Sequence, residues 1–294
     1  MASRTGRARL TDADLKRLCD AAGRAVDPSQ SLFGPRSLSW RVHRETSLLL
    51  GGGRALLLQI AHPLVAAGVA AHSQFERAPL QRLWRTLDLT LTMVFGSAAD
   101  ALTAVQQIER VHASVHGVLS EDIGPFRRGT PYDANDPALL LWVHATLVDS
   151  GVRAYERFVT RLTSTERAAL YQESIISARL FGIPAALIPA NLNEFRAYMR
   201  EMLAGPDLAV GPASRAIAAA LLSPPLPFGL RQIAGSTRLF TIGLLPAAIR
   251  RRYGYTWTRT HERALGALTA AIRTGLPVLP SIVRDFPHAR RASG

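Results

Sequence analysis

Apolar residues recur at helical spacing along most of this 294-residue chain, and few segments show the period-two alternation of a half-buried strand. Hydrophobic residues make up 48% of the chain and charged residues only 19%, which is enough for a large core and excludes disorder for most of its length. The sequence therefore predicts an all-α fold with a single helical domain over residues 31–285. A polar N-terminal tail over 1–30 and a C-terminal tail over 286–294 are predicted to flank it.

Capping residues and prolines mark where several of the predicted helices begin. Ser97 and Asp136 are suitable N-caps, and Pro137 suits the first helical position. The triple glycine at 51–53 is interpreted as a turn between two helices, and as a phosphate-binding loop it would be a weak signal on its own. The helices expected from these signals span 37–50, 77–95, 98–119 and 136–158.

The most apolar stretch of the chain, residues 47–71, contains Arg54, Gln59 and His62. A membrane-spanning helix needs about 20 apolar residues with few charges, so this stretch predicts a pair of buried helices instead. The first twenty residues carry charges and lack the apolar segment of a secretory signal. A cytoplasmic protein is therefore expected, with peripheral membrane association as an alternative.

The formal net charge of +13 comes almost wholly from arginine, since Lys16 is the single lysine among 35 basic residues. No arginine run of five or more and no nucleic-acid-binding motif accompanies this charge, so no nucleic-acid partner is expected. An anionic membrane, an internal anionic ligand and an arginine-rich solvated surface are the explanations left open. The single cysteine, Cys19, excludes a disulfide framework and cysteine-based metal sites.

Five of the eight histidines lie between positions 62 and 144, on segments predicted to be buried helices. A single buried histidine is usually a hydrogen-bonded part of the core, but five together favour a metal or haem pocket. His112 and His116 are spaced i, i+4 and are predicted to share a helical face, while Ala113 excludes the metalloprotease pattern. No spacing singles out Glu76 or Asp149 as the carboxylate of a non-haem iron site. The five histidines are His62, His72, His112, His116 and His144.

Two arginines and a threonine lie on one face of the predicted 77–95 helix, together with part of its apolar stripe. Solvent exposure of this face is one explanation. If the face points into the core instead, its arginines need an anionic partner, since unpaired buried charges are costly. Haem propionates or a bound oxygen species would supply that partner, so the pattern favours haem over zinc. The residues are Arg82, Arg85, Thr86 and, on the apolar stripe, Leu89.

Residues 45–63, ETSLLLGGGRALLLQIAHP, resemble the start of the DUF2236 family, an oxygenase family that includes the MpaB-type oxygenases and the rubber oxygenases. The likeness covers about residues 37–260, and its motifs are specific when they are taken together. They continue through VAAHSQF, RLWRT, VFG and VH to YDANDP, WVHA and DS, and then through LFTIGLLP and YGYTW.

The resemblance implies a helical, globin-like core that carries a b-type haem, with its iron bound by a histidine. In the rubber-cleaving relatives an Arg-x-x-Lys-Thr run lies across the haem. Arg82, Arg85 and Thr86 match that run, with Arg85 in place of the lysine. A guanidinium stays protonated and cannot ligate iron as an amine can, so the resemblance implies no distal amine ligand here.

Among the histidines, His112 best matches the iron-binding residue of the family, and His116 is the alternative. His144 matches a recurrent family histidine that would line the pocket or orient a ligand. His62 and His72 also follow the family pattern and are included as cofactor-binding candidates.

These observations predict a haem b-dependent oxygenase that adds dioxygen to an apolar, unsaturated small molecule. In this hypothesis His112 binds the iron, while Arg82, Arg85, Thr86 and His144 serve catalysis. The alternatives are a haem-binding or haem-sensing protein without turnover, and a cofactor-free helical protein that binds lipid or a membrane surface.

Overall fold

The computed structural model describes residues 29–72, 79–223 and 231–293, and it describes only the backbone of residues 72, 79–86, 231–234 and 293. Helices dominate these ranges, which confirms the predicted all-α, single-domain fold. Nearly all of the predicted N-terminal tail, residues 1–30, lies outside them. The first helices are α1 (Leu38–His43), α2 (Leu49–Gln59), α3 (Pro63–His72), α4 (Pro79–Phe95) and α5 (Ala98–His112).

Two short strands interrupt the helical series before it resumes. They are β1 (His116–Val118) and β2 (Pro131–Asp133), which pair antiparallel. The later helices are α6 (Pro137–Phe158), α7 (Ser164–Leu180), α8 (Leu192–Ala204), α9 (Pro212–Leu222), α10 (Arg231–Leu244), α11 (Ala247–Tyr253), α12 (Arg259–Gly275), α13 (Ser281–Arg284) and α14 (Pro287–Ser293).

The 22-residue helix α6 lies at the centre of the fold. Asp136 caps its first turn by accepting hydrogen bonds from two backbone N–H groups, at 2.8 and 3.1 Å, and Pro137 takes the first helical position. Helix α2 packs along α6. Between them the fully buried Trp142 donates its indole N–H to the carbonyl oxygen of Leu58, 3.2 Å away. The predicted helix over 136–158 is therefore confirmed and forms the core.

The triple glycine does not form a turn: residues 51–53 lie inside α2. A Cβ atom on Gly51 would lie 2.8 Å from the Cβ of Ala154 and 3.0 Å from the carbonyl oxygen of Ser150, both on α6. A Cβ atom on Gly53 would lie 2.2 Å from the hydroxyl of Thr241 on α10. The prediction of a turn was wrong because these glycines allow two helices to approach α2 closely, on two of its sides.

The apolar stretch at 47–71 forms two helical segments, Thr46–Gln59 and Pro63–Ala71, which are bent by 106°. Within the described residues no single helix is long and apolar enough to cross a membrane. The two segments of this bent pair, taken together, reach the length and apolar composition of a membrane span. Leu57, Leu58 and Ile60 are fully buried within the protein. The predicted pair of buried helices is confirmed.

Helices α4 and α5 form a hairpin joined at Gly96 and Ser97. Ser97 accepts a hydrogen bond from the N–H of Asp100, whose carboxylate accepts one from the N–H of Ser97, so the predicted cap is confirmed as a capping box. Helix α5 ends at His112, not at residue 119 as predicted, because residues 116–118 pair with β2 instead. His112 and His116 therefore do not share a helical face.

The C-terminal segment, predicted as a tail from residue 286, is packed against the core. Phe286 and Ala289 are buried, and the N–H of Phe286 donates to the carbonyl oxygen of Arg44 at 2.8 Å. Just before it, Arg284 binds the buried Glu45 at 2.7 Å, and Arg44 binds Asp285. These two ion pairs join residues about 240 positions apart, so residues 286–293 belong to the folded body.

Candidate functional site

A cavity of about 220 Å³ lies between α1, α2, α4, α6 and α7. Its walls are mainly aliphatic and aromatic, with a few hydroxyl groups and two imidazoles among them. Small residues of α2, including Gly51, Gly52 and Ala55, form part of the wall. Such a chamber, mostly apolar with a few polar groups, is typical of a small-molecule site. The polar residues that line it are Ser39, His43, Gln59, Thr90, His144, Ser150, Ser174 and Ser177.

His144 projects from α6 into the wall of this cavity. Burial lowers the pKa of His144 to about 4, although a hydrogen bond to the backbone of Ser174 opposes that shift. The imidazole is therefore neutral at pH 7. Because a backbone carbonyl accepts the proton of one ring nitrogen, the other nitrogen keeps its lone pair. Metal-binding and catalytic histidines are commonly fixed in this way.

His43, at the end of α1, is the second imidazole of the cavity wall. Its Nδ1 lies 2.8 Å from the carbonyl oxygen of Ser39 and must donate to it, so Nε2 carries the lone pair. Burial lowers the pKa of His43, against weaker opposing effects of this hydrogen bond and of Glu173. His43 is therefore also neutral at pH 7. Sequence reasoning missed it, because the charged residues around it in WRVHRE are typical of a solvated helix.

One turn of α7 positions both histidines. The carboxylate of Glu173 accepts hydrogen bonds from the N–H groups of Leu38 and Ser39, at 3.2 and 2.6 Å, and so fixes the first turn of the helix that carries His43. The next residue, Ser174, supplies the backbone partner of His144. Packing of α7 against α1 and α6 therefore sets the two imidazoles in place together.

The described half of α4 contributes Leu87, Thr90, Met93 and Val94 to the cavity wall. Position 86 is four residues before Thr90 and seven before Met93, so helical spacing places it on the same stripe. Helical spacing places position 82 at the edge of that stripe and position 85 about 100° away from position 86 around the helix axis. Of Arg82, Arg85 and Thr86, the structure describes only the backbone, so the roles predicted for their side chains stay predictions.

The α4–α5 hairpin also brings His112 to the same end of the molecule as this run. Ten residues separate Arg85 from Phe95, and fourteen separate Ala98 from His112. At about 1.5 Å per residue, these are axial distances of about 15 and 21 Å from the hairpin turn. Thirteen residues separate Arg82 from Phe95, or about 20 Å, so the backbones of Arg82 and His112 lie at a similar height on adjacent antiparallel helices. Arg85 lies about one turn nearer the hairpin turn. His112 itself is half-buried and does not line the cavity.

The other predicted histidines lie elsewhere. His62 is buried between α2 and α3, with its ring 5.1 Å from the ring of Phe126. Burial lowers the pKa of His62 to about 4, and its Nδ1 has no hydrogen-bond partner. His116 is exposed on β1, and the side chain of His72 lies outside the described part of the chain. Among the described side chains of the five histidines, only that of His144 lines the cavity, and the structure does not bring His62 or His116 to it.

Asp149, one of the two carboxylates considered for a non-haem iron site, is not placed to serve one. Asp149 lies 2.5 Å from a guanidinium nitrogen of the fully buried Arg54 and 2.9 Å from Arg153, so its oxygens are engaged in ion pairs. Glu76 lies outside the described residues. Over the ranges that the structure describes, no group of three or more histidine, cysteine and carboxylate side chains could hold a metal ion. An iron held inside a macrocycle needs only one protein ligand and no such group.

The fold and the cavity together define an all-α protein that encloses a small ligand chamber. The sequence pattern described as "ER-bound oxygenase mpaB/B'/Rubber oxygenase, catalytic domain" matches residues 40–274, which is most of the chain. The chain belongs to this family, as the resemblance predicted, and in general class it is an oxygenase.

Two curated relatives are similar over much of their length. The uncharacterized proteins Rv2237 of Mycobacterium tuberculosis and Mb2261 of Mycobacterium bovis are each 25% identical to this chain over 232 residues. The alignments cover 76% of this chain and 87% of each relative. No solved structure matches the chain.

Proposed function

We propose that this protein is a haem b-dependent oxygenase that adds dioxygen to an apolar, unsaturated small molecule. One observation carries the proposal: a single hairpin holds His112 and the Arg82–Thr86 run at one end, and its α4 stripe continues into the apolar cavity. The family assignment supports the word oxygenase. Haem and the kind of substrate are our inference from the residues and from the resemblance.

The residues present fit a haem by the chemistry of their donors. His112 supplies an imidazole for the iron, which is the commonest protein ligand of b-type haem. Arg82 and Arg85 supply guanidinium groups, which bind the carboxylates of propionates well. Mainly apolar walls, as in the cavity beside α4, suit an apolar substrate. Since Arg85 stays protonated, it serves as a charge partner and not as an iron ligand.

When bound, the haem would supply an iron that binds and activates dioxygen. The protein's own residues would do the rest. The aliphatic walls would hold the substrate by its apolar surface and exclude water, which strengthens polar interactions inside the chamber. His144 and His43 are neutral, and each is fixed by a backbone carbonyl, so each can accept a hydrogen bond at one nitrogen without reorienting. Thr86 and Thr90 would place hydroxyl groups along one stripe of α4.

The iron ligand is tested by histidine variants expressed with an adequate supply of haem. We expect His112→Ala to lose the Soret band and most of its iron. His144→Ala is expected to keep its haem content and to lose activity, because this histidine lines the chamber. His116→Ala is the matched control, since His116 is an exposed histidine four residues away. Loss of the Soret band in His144→Ala with retention in His112→Ala would refute the ligand assignment.

Turnover is tested separately from haem binding. We expect the purified haem-loaded protein to consume dioxygen when small alkenes or terpenoids are added, and to yield a product that carries label from ¹⁸O₂. Haem binding without substrate-dependent consumption across such a panel would favour a haem carrier or sensor. That result would contradict the proposed reaction while leaving the haem site intact.

A further inference from the structure

Seven consecutive residues close to the C-terminus, 277–283 (PVLPSIV), are all exposed, and only the serine among them is polar. We call this segment the apolar tip. Val278 is 81% exposed and Ile282 is 69% exposed, so these side chains cover little of the protein's own surface. Single exposed apolar residues are common, but a continuous run of them marks an interaction surface.

The apolar tip is held in place at both ends. It consists of the end of a short 3-10 helix, Leu276–Val278, followed by α13. Leu276 before it and Phe286 after it are buried. The hydroxyl of Thr46 lies 2.9 Å from the carbonyl oxygen of Val283 and 3.0 Å from that of Arg284, within donating distance of both. Exposure of the tip is thus a feature of the packed fold, since its flanks are fixed to the core.

The surroundings of the apolar tip are positively charged. Residues 273–294 contain four arginines and one acidic residue, Asp285, which gives a formal charge of +3 (four minus one). Asp285 is paired with Arg44 and Arg284 with Glu45, so the charges of these two ion pairs cancel. Arg273, Arg290 and Arg291 carry the positive charge that remains. Arg273 and Arg291 are exposed, and Arg290 donates to the carbonyl oxygen of Ile282 within the tip. Apolar side chains beside exposed arginines are the combination that binds the interface of an anionic bilayer.

We propose that the apolar tip inserts into the headgroup region of an anionic lipid membrane and that the nearby arginines bind the lipid phosphates. The charge argues against a second copy of this chain as the occupant, because pairing two tips would bring two arginine-rich surfaces together. Binding to an anionic membrane also fits the net charge of +13, for which the sequence analysis kept such a membrane as one explanation. The proposal requires neither haem nor turnover.

The position of the tip relates it to the cavity. Thr46, which binds the end of the tip, begins the short 3-10 helix Thr46–Leu48, and Leu48 lines the cavity. A membrane bound at the tip would therefore lie near one wall of the chamber. If the proposed function is also correct, an apolar substrate would reach the enzyme from the lipid phase; this consequence, unlike membrane binding, rests on that function.

The test is sedimentation of the full chain with phosphatidylcholine vesicles that contain or lack phosphatidylglycerol. We expect binding to the anionic vesicles, weakened by added salt. The double variant Val278→Ser with Ile282→Ser should lower the partition coefficient at least tenfold, because it removes the apolar groups that would be buried. Val118→Ser is the matched control, since Val118 is 62% exposed on β1, away from the tip, and should leave binding unchanged.

A charge variant and a measurement of association state complete the test. Arg273→Glu with Arg291→Glu should lower binding to anionic vesicles roughly tenfold or more and should not change the fold. The proposal is overturned if the unmodified chain does not bind anionic vesicles, or if the double serine variant binds as well as the parent. It is also overturned if sedimentation velocity without lipid finds a dimer that the serine variant abolishes. None of these three measurements depends on haem content. A failure of membrane binding can therefore be distinguished from a failure of the proposed oxygenase activity.

Discussion

The glycines inside α2 give the sharpest test of how the core is assembled, and Gly53→Ala is the variant to make. A Cβ atom at this position would lie 2.2 Å from the hydroxyl oxygen of Thr241, 2.9 Å from its methyl carbon and 3.1 Å from its Cβ. Ordinary carbon contacts lie at about 3.5–4.0 Å. Rotation of Thr241 does not relieve the overlap, since all three of its side-chain atoms are too close. Helices α2 and α10 must therefore move apart.

Two opposing terms set the size of the effect. Alanine is favoured over glycine inside a helix by about 1 kcal/mol. Overpacking of a well-packed core costs about 1–3 kcal/mol, and the 2.2 Å contact places Gly53→Ala towards the upper end of that range. We therefore expect a net loss of about 1–2 kcal/mol in the free energy of unfolding. For chains of 150–250 residues, each kcal/mol lowers Tm by about 2–4 °C.

Thermal unfolding followed by circular dichroism measures this loss against a matched control. Gly266→Ala also replaces a helical glycine, but nothing lies within 4 Å of the added Cβ, so this variant should be more stable than the parent. Adding Thr241→Ala to Gly53→Ala removes two of the three close atoms and should recover at least half of the loss. Equal stability of Gly53→Ala and Gly266→Ala would refute the conclusion that α2 and α10 pack closely at Gly53.

Three further predictions concern the buried polar groups and the C-terminus. Arg54→Met should lower the free energy of unfolding in urea by about 3 kcal/mol or more, because it leaves Asp149 without its buried partner. Arg153→Met removes a half-exposed partner of the same carboxylate and should cost at most about 1 kcal/mol. The pKa of His62 is lowered to about 4 from an ordinary value near 6.5, so its stabilising effect is complete above pH 6.5 and is lost as the pH falls towards 4; Tm should depend less steeply on pH in His62→Leu over that window. Phe286→Ala should cost about 3–5 kcal/mol, and an effect below about 1 kcal/mol would mean that this segment is a tail after all.

Local signals in the sequence predicted much of the helical framework. Ser97 and Asp136 were identified as caps, and both accept the expected backbone hydrogen bonds. Such caps depend on residues two or three positions away, so a short stretch of sequence contains all the information they need. The same holds for the apolar stretch at 47–71, in which Arg54 and His62 already argued for burial within the protein.

Features that depend on distant residues were not predictable in this way. The contacts that require Gly53 come from Thr241 on α10, and the strand that ends the helix at His112 is formed by pairing with β2. Likewise, the pairing of Arg44 with Asp285 closes the chain across 241 positions. Periodicity gives the faces of an element but not its neighbours, so glycines used for close packing look like turns and a packed terminus looks like a tail.

The candidate site was predictable only in part. His144 was selected from the sequence and lines the cavity, while His43 was not selected and lines it as well. The side chains of Arg82, Arg85 and Thr86 lie outside the described part of α4, so the face predicted for them stays a prediction. Helical spacing could not predict that α7 would fix both imidazoles through Glu173 and Ser174, since that requires three helices to pack together.

Whether this protein binds haem b is measured by the absorption spectrum of the purified protein, expressed with an adequate haem supply. The spectrum should be recorded in the oxidised and dithionite-reduced forms, with a pyridine haemochrome assay and elemental analysis of iron on the same sample. We expect a Soret band, a b-type haemochrome and about one iron per chain, all lost in His112→Ala. A protein that stays colourless after haem is added, whatever its iron content, would not be a haem-dependent oxygenase.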